Sequence, residues 1–196
     1  MSNQAGLAAL KSADEKVCIV KSVNNKVSNV VWISFKPFLN NSVEWNEGTY
    51  GLYASGSQIQ GGATISRLST IPSVSKGHQY PFNDSGFFDQ ANEVAAKGYS
   101  IVNHYEEALT FGLTQTATVN GKLVDSELNA TTVLRNQSVD YTPIVTLSVY
   151  VSSVQNNGSI ISNVSGEALT LTYSSDPEKS VYFDDITNSF VEGIRP

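Results

Sequence analysis

Residues 29–68, NVVWISFKPFLNNSVEWNEGTYGLYASGSQIQGGATISRL, hold the alternation that marks the chain as β. From Val30 to Phe35, Val31, Ile33 and Phe35 fall on one face and Trp32, Ser34 and Lys36 on the other. A period of two residues is the mark of a strand with one buried face. That phase sends Val31, Ile33 and Phe35 into the core and puts Trp32 on a half-exposed face. Pro37 has no N–H for a ladder, so it ends the pairing or marks an edge. A second run, Thr49 to Ala54, places Tyr50 and Leu52 on one face and Gly51 and Tyr53 on the other. Ser55-Gly56-Ser57 reads as a turn and Gly61-Gly62 as a turn or bulge before a strand from Ala63 to Leu68.

The same grammar extends outward. Toward the N-terminus, Val17 to Val23 is β-branched, and Asn24-Asn25 turns it. Before it, residues 2–16 carry Ala5, Leu7, Ala8, Ala9 and Leu10 at helical spacing, which predicts a short helix capped by Ser2 or Asn3. Residues 69–99 read as a long irregular loop with an aromatic cluster, Tyr80, Phe82, Phe87 and Phe88, and a helical turn over Asp89 to Lys97. Phe87 and Phe88 are the expected anchor that folds this loop back. Such a loop is ordered by its own side chains or carries function. Leu109, Phe111 and Leu113 alternate with Thr110, Gly112 and Thr114, and Asn120-Gly121 predicts a type I′ hairpin turn. From Ile144 to Val154, Val145, Leu147, Val149 and Val151 point inward and Thr146, Ser148, Tyr150 and Ser152 outward. Strands over Ser159 to Val164, around Leu169 to Tyr173 and over Val181 to Phe183 follow. The acidic tail, Asp184 to Pro196, is expected to pack outside.

Roughly ten short strands with turn chemistry between them predict an all-β fold, an antiparallel β-sandwich or flattened barrel with a short N-terminal helix. No linker or fixed-period repeat divides residues 1–196, so one domain is expected. A net charge of −6 gives no electrostatic reason to bind nucleic acid. One cysteine, Cys18, rules out a disulfide within the chain. The opening MSNQAGLAALKSADEK lacks a basic segment followed by an apolar one, so a cytoplasmic protein is expected. Edge strands that need cover make a homo-oligomer plausible.

Catalytic chemistry finds little purchase. The two histidines, His78 and His104, with a single Cys do not suggest a zinc site, and the nearest approach is His104-Tyr105-Glu106-Glu107. The chain has no G-x-S-x-G elbow, and Gly56 to Gly62 lacks the Lys-Ser/Thr of a phosphate loop. Cys18 sits in an apolar strand, where a thiol is packing rather than a nucleophile. The expectation is therefore a protein that is not an enzyme, with no cofactor and no metal. An enzyme would have to work through His104 or His78 with an unidentified acid.

Aromatic rings are what remain. Rings with polar tips stack on sugars, sit at membrane interfaces or line pockets for lipophilic ligands. Trp45 stands out, because it lies among Glu44, Asn46 and Glu47 at a loop-to-strand junction. The candidate ligand-binding residues are Trp45, Tyr50 and Tyr53, with Trp32, Phe87 and Phe88. The stretch Val43 to Tyr53, with Trp45 in an acidic-polar loop ahead of Tyr50-Gly51-Leu52-Tyr53, resembles small cytosolic β-sandwich proteins of fungi, the actinoporin-like lectins and aegerolysin-type cytolysins. The resemblance is one of architecture over most of the chain; it matches no family motif and carries over no site residue. It implies recognition of carbohydrate or membrane lipid through surface rings. The alternative is a carrier or store for a lipophilic small molecule, such as a pigment or polyene, held between the sheets or under the 69–99 loop.

Overall fold

The computed structural model describes residues 4–164, 167–174 and 177–194. Helix α1 (Gln4–Ser12) leads into β1 (Lys16–Val23), β2 (Ile33–Phe35), β3 (Val43–Trp45), β4 (Gly51–Ser55) and β5 (Arg67–Ile71). Then come β6 (His78–Phe82), β7 (Asn92–Glu93), β8 (Tyr99–Asn103), β9 (Leu109–Val119), β10 (Lys122–Glu127) and β11 (Thr131–Val133). The chain closes with β12 (Ser138–Tyr141), β13 (Pro143–Ser152), β14 (Leu169–Thr172), β15 (Val181–Asp184) and β16 (Ser189–Glu192). The predicted caps Ser2 and Asn3 lie outside the described residues. No helix among the described residues is long and apolar enough to cross a membrane.

The strands form open sheets, and none closes into a barrel among the described residues, so the all-β sandwich reading holds over the flattened barrel. One sheet runs β14-β13-β1-β2; a second runs β10-β9-β4-β5, with β3 and β11 also on β9. A third runs β12-β8-β6-β7, and β15 and β16 pair as a hairpin. One core takes side chains from the first three: Ile19 and Leu147, then Leu52 and Leu113, then Phe82 and Ile101.

Both faces of β1 are covered. Val17, Ile19 and Lys21 lie opposite Val151, Val149 and Leu147 of β13 on the inner face. Cys18, Val20 and Tyr150 form a second apolar cluster with Val31 and Ile161 on the outer face. Tyr150 is therefore buried, not outward on an open surface. Its cover is the segment 159–164, which makes isolated bridges at Ser159 and Ile160 instead of the expected strand.

Trp32 also departs from its predicted phase. It is fully buried in the main core, while Val31 belongs to the outer cluster. Period two applies only within a continuous strand, and β2 begins at Ile33. Val31 instead exchanges backbone bonds with Gly158 and Ser159, whereas the Trp32 N–H donates to Ile19 O. The backbone changes partner between the two residues, and the indole turns inward.

The 69–99 region is more regular than expected. The β6–β8 pair is parallel, against the antiparallel rule of the other pairs, and residues 83–98 supply the crossover that a parallel pair needs. Asp89 to Lys97 forms no helical turn; Asn92 and Glu93 are drawn out as β7 against β6. Phe88 is the anchor, with its ring centroid 4.9 Å from that of Phe82 and 6.4 Å from that of Phe111. Phe87 points to solvent, 64% exposed.

The β9–β10 turn has positive φ at both Asn120 (50°) and Gly121 (79°), as a type I′ turn requires. Gly112, in mid-β9, has a different reason to be glycine. It pairs with Tyr53, and a Cβ there would lie 1.9 Å from Asn129 O and 2.7 Å from the Tyr53 ring. The missing side chain is the seat of that ring. Gly112→Ala is expected to lower unfolding free energy by about 1–3 kcal/mol, the usual cost of overpacking. Gly56→Ala, whose added methyl meets nothing within 4 Å, is expected to leave the urea midpoint nearly unchanged.

Candidate functional site

The inner face of β1 presents Val17 and Ile19 and then, at the next inward position, Lys21. A lysine that points into a core must be paired there, because an isolated buried ammonium costs far more than folding can supply. Lys21 has no exposed side-chain surface. Its Nζ donates to a carboxylate oxygen of Glu47, to the Tyr50 hydroxyl at 3.1 Å and to Gln115 Oε1 at 2.8 Å, so all three donors are used. Three rings surround it: Nζ lies 5.5 Å from the ring centroid of Trp32, 5.7 Å from that of Trp45 and 5.2 Å from that of Tyr50. All are within cation–π range.

Glu47 is the hub on the acidic side. Besides the Lys21 ammonium, its carboxylate accepts the Trp45 indole N–H and the Tyr50 hydroxyl. Gln115 fixes the loop that carries it, donating from its amide to Asn46 O at 2.9 Å, while its backbone carbonyl accepts the Trp32 indole N–H at 2.9 Å. Burial alone would raise the Glu47 pKa, but the Lys21 charge and the bonds from Lys21, Tyr50 and Trp45 outweigh it and hold the carboxyl below its ordinary value. Burial pulls the Lys21 ammonium down, against the opposing attraction of Glu47. Burial, reinforced by Glu47, pushes the Tyr50 hydroxyl well up, so it stays a neutral donor.

Beyond Trp45 the two layers part and leave a cleft of about 1010 Å³. Its floor is the rest of the same sheet face, with Val17, Ile19, Leu147, Val149 and Leu171. Leu7 and Leu10 of α1 close one side, and Phe183 and Phe190 of the β15–β16 hairpin, with ring centroids 5.3 Å apart, cover another. Trp45 joins the polar cluster to the cleft. Its ring stands edge-on to Trp32, with centroids 5.7 Å apart, and edge-on to Tyr173 on the cleft wall at 5.4 Å.

Of the residues singled out from sequence, Trp32, Trp45 and Tyr50 come together around Lys21. Tyr53 does not join them. Three residues along one strand put Tyr50 and Tyr53 on opposite faces, and Tyr53 is buried with Val30, Ile65, Ala130 and Ile160, its hydroxyl on Asn129 O. Trp32, Tyr50 and Tyr53 are at most 2% exposed, so none is a surface ring. Phe88 belongs to the core and Phe87 to another surface; residues 69–99 do not border the cleft. His78 and His104 stand near opposite ends of the β6–β8 pair, and neither lines the cleft. Among the described residues no three His, Cys, Asp or Glu side chains gather as a metal site. The Cys18 thiol is buried, which raises its pKa to about 11. Lys21, Glu47, Gln115 and the C-terminal hairpin were not anticipated. The visible signal was Lys21 itself, an inward-phase charge in KVCIVKSV.

Lys21→Met strips Glu47 of its cation. Removing one partner of a buried pair costs about 3–5 kcal/mol, and the 37% exposure of Glu47 puts the expected loss at the lower end. Urea unfolding at neutral pH measures it. Because Glu47 titrates lower when folded than unfolded, the pair's stabilisation is complete above the unfolded carboxyl's pKa, ~4.3. It is lost as pH falls through the folded value. The stability difference between the wild type and Glu47→Gln should therefore shrink from pH 7 to pH 3; a constant difference would show that the carboxyl does not titrate with folding. In comparison with known proteins, no protein-family model, no curated protein and no solved structure matches this chain.

Proposed function

We propose that the protein carries or stores a lipophilic small molecule in the cleft between α1, the inner sheet face and the β15–β16 hairpin. The observation that supports this reading is the cleft, about 1010 Å³ and lined mainly by aliphatic and aromatic side chains. Pockets for small ligands run to roughly 300–1,000 Å³, with apolar walls and a few polar groups for orientation. The Trp45 and Tyr173 rings on its wall suit flat or conjugated ligands. Recognition of carbohydrate or membrane lipid by surface rings draws less support, because Trp32, Tyr50 and Tyr53 are buried.

Two measurements test the proposal. Organic extraction of protein purified natively from its source should release a lipophile, seen as mass or as a visible absorption band. Apolar fluorescent probes should bind the recombinant protein, and Trp45→Leu should weaken that binding about tenfold, ~1.4 kcal/mol. Phe87→Ala, on a different surface, should bind as the wild type does. A ligand-free native preparation that also binds no probe would sink the carrier reading.

A further inference from the structure

We propose that Glu47 is a positioning residue for the cleft: it holds the Trp45 ring in the wall, and a ligand resting on that ring binds more tightly while the Lys21–Glu47 pair is intact. This rests on the carrier reading and names what tunes its site. Val43 and Trp45, alternate residues of β3, both line the cleft. The Trp45 ring stands edge-on to Trp32 and to Tyr173, and its N–H donates to a Glu47 carboxylate oxygen. That hydrogen bond sets the direction of the indole. A bond to an ionised acceptor is also roughly twice as strong as one between neutral groups.

The carboxylate is itself fixed. The oxygen that takes the indole N–H also takes the Lys21 ammonium, and the other oxygen takes the Tyr50 hydroxyl. The backbone beside it is pinned too. Asn46 Oδ1 accepts the Gly48 N–H at 2.8 Å, and Asn46 O accepts the Gln115 amide at 2.9 Å. Fixed groups therefore run from β1 and β9 to the wall. A ligand that meets a ring already ordered does not bear the cost of ordering it. The titratable groups that face Glu47 are Lys21 from β1, Tyr50 from the β3–β4 connection and Tyr99 from β8. Burial raises both phenols, so they stay neutral as pH falls from 7, and the ammonium stays protonated. Glu47 is the one of the four that changes charge, and its side chain is 37% exposed, within reach of solvent protons. If the charged form favours binding, a bound ligand must by reciprocity lower the Glu47 pKa further.

A double-mutant cycle isolates that effect, read by fluorescence titration of recombinant protein at pH 7 with the neutral probe N-phenyl-1-naphthylamine. Glu47→Gln should weaken probe binding about two- to tenfold, the cost of ordering one side chain on binding. In Trp45→Phe, which keeps a ring but has no N–H, the same substitution should change affinity little, because Glu47 acts through the indole. A second measurement needs no variant. The titration of the Glu47 carboxyl carbon, followed by 13C NMR in the wild type, should move to lower pH when the probe is bound. An unaltered affinity in Glu47→Gln, an equal loss in the Trp45→Phe background, or a titration that does not move with probe would overturn the inference and leave the carrier reading standing. A wild type that binds no probe would overturn both.

Discussion

A single buried ammonium organises the middle of this molecule. Lys21 occupies an inward position on β1 that its neighbours Ile19 and Leu147 mark as apolar. Its charge must be matched by partners from elsewhere, and they come from two directions. Glu47 and Tyr50 come from the β3–β4 connection, and Gln115 from the middle of β9. The ion pair thus ties the first sheet to the second at one point. A buried pair of this kind often adds little net stability over an apolar replacement, yet breaking it is costly. It penalises any packing in which the β3–β4 connection sits elsewhere, and its position sets that of Trp45.

From that point the architecture follows. At the Lys21 end the sheets meet closely, with Trp32 fully buried and its indole N–H on Gln115 O. At the Val17 end the face borders the cleft, whose other walls come from α1, residues 37–45 and the β15–β16 hairpin. The hairpin forms a two-stranded sheet of its own, a unit that is marginal in isolation. The rings of Phe183 and Phe190 face the cleft, as an element that needs apolar contact requires.

How much of this was legible in the sequence depended on distance along the chain. Alternation put Tyr50 and Leu52 on a common face, and Asn120-Gly121 marked its turn, because strand phase and turn chemistry are local. Trp32 was misplaced where the backbone changes partner after Val31, an event no local period records. The β6–β8 parallel pair and the extended β7 were hidden for the same reason, since long-range pairing selects them over the local helical tendency of 89–97. Trp45, Tyr50 and Trp32 were picked for their rings. Their common centre was missed because its lysine lies 26 residues from Glu47 and 94 from Gln115.

The two halves of the sandwich divide the physical work. Polar groups near Lys21 are matched donor to acceptor, so that half specifies one arrangement. The cleft half differs: its floor residues Val17, Ile19, Leu147, Val149 and Leu171 are already buried in the main core, and around the open space the walls mix apolar side chains with polar ones such as Asn40, Asn41 and Ser42. On the carrier reading, a lipophile filling that space would act as the missing layer, touching the sheet floor, the Trp45 ring and the hairpin phenylalanines together. Any ligand that binds only the folded chain stabilises it in proportion to its occupancy. Through Trp45, whose N–H rests on Glu47, that stabilisation would reach the ion pair, so on this reading the ring that borders the cleft would also couple its filling to the core.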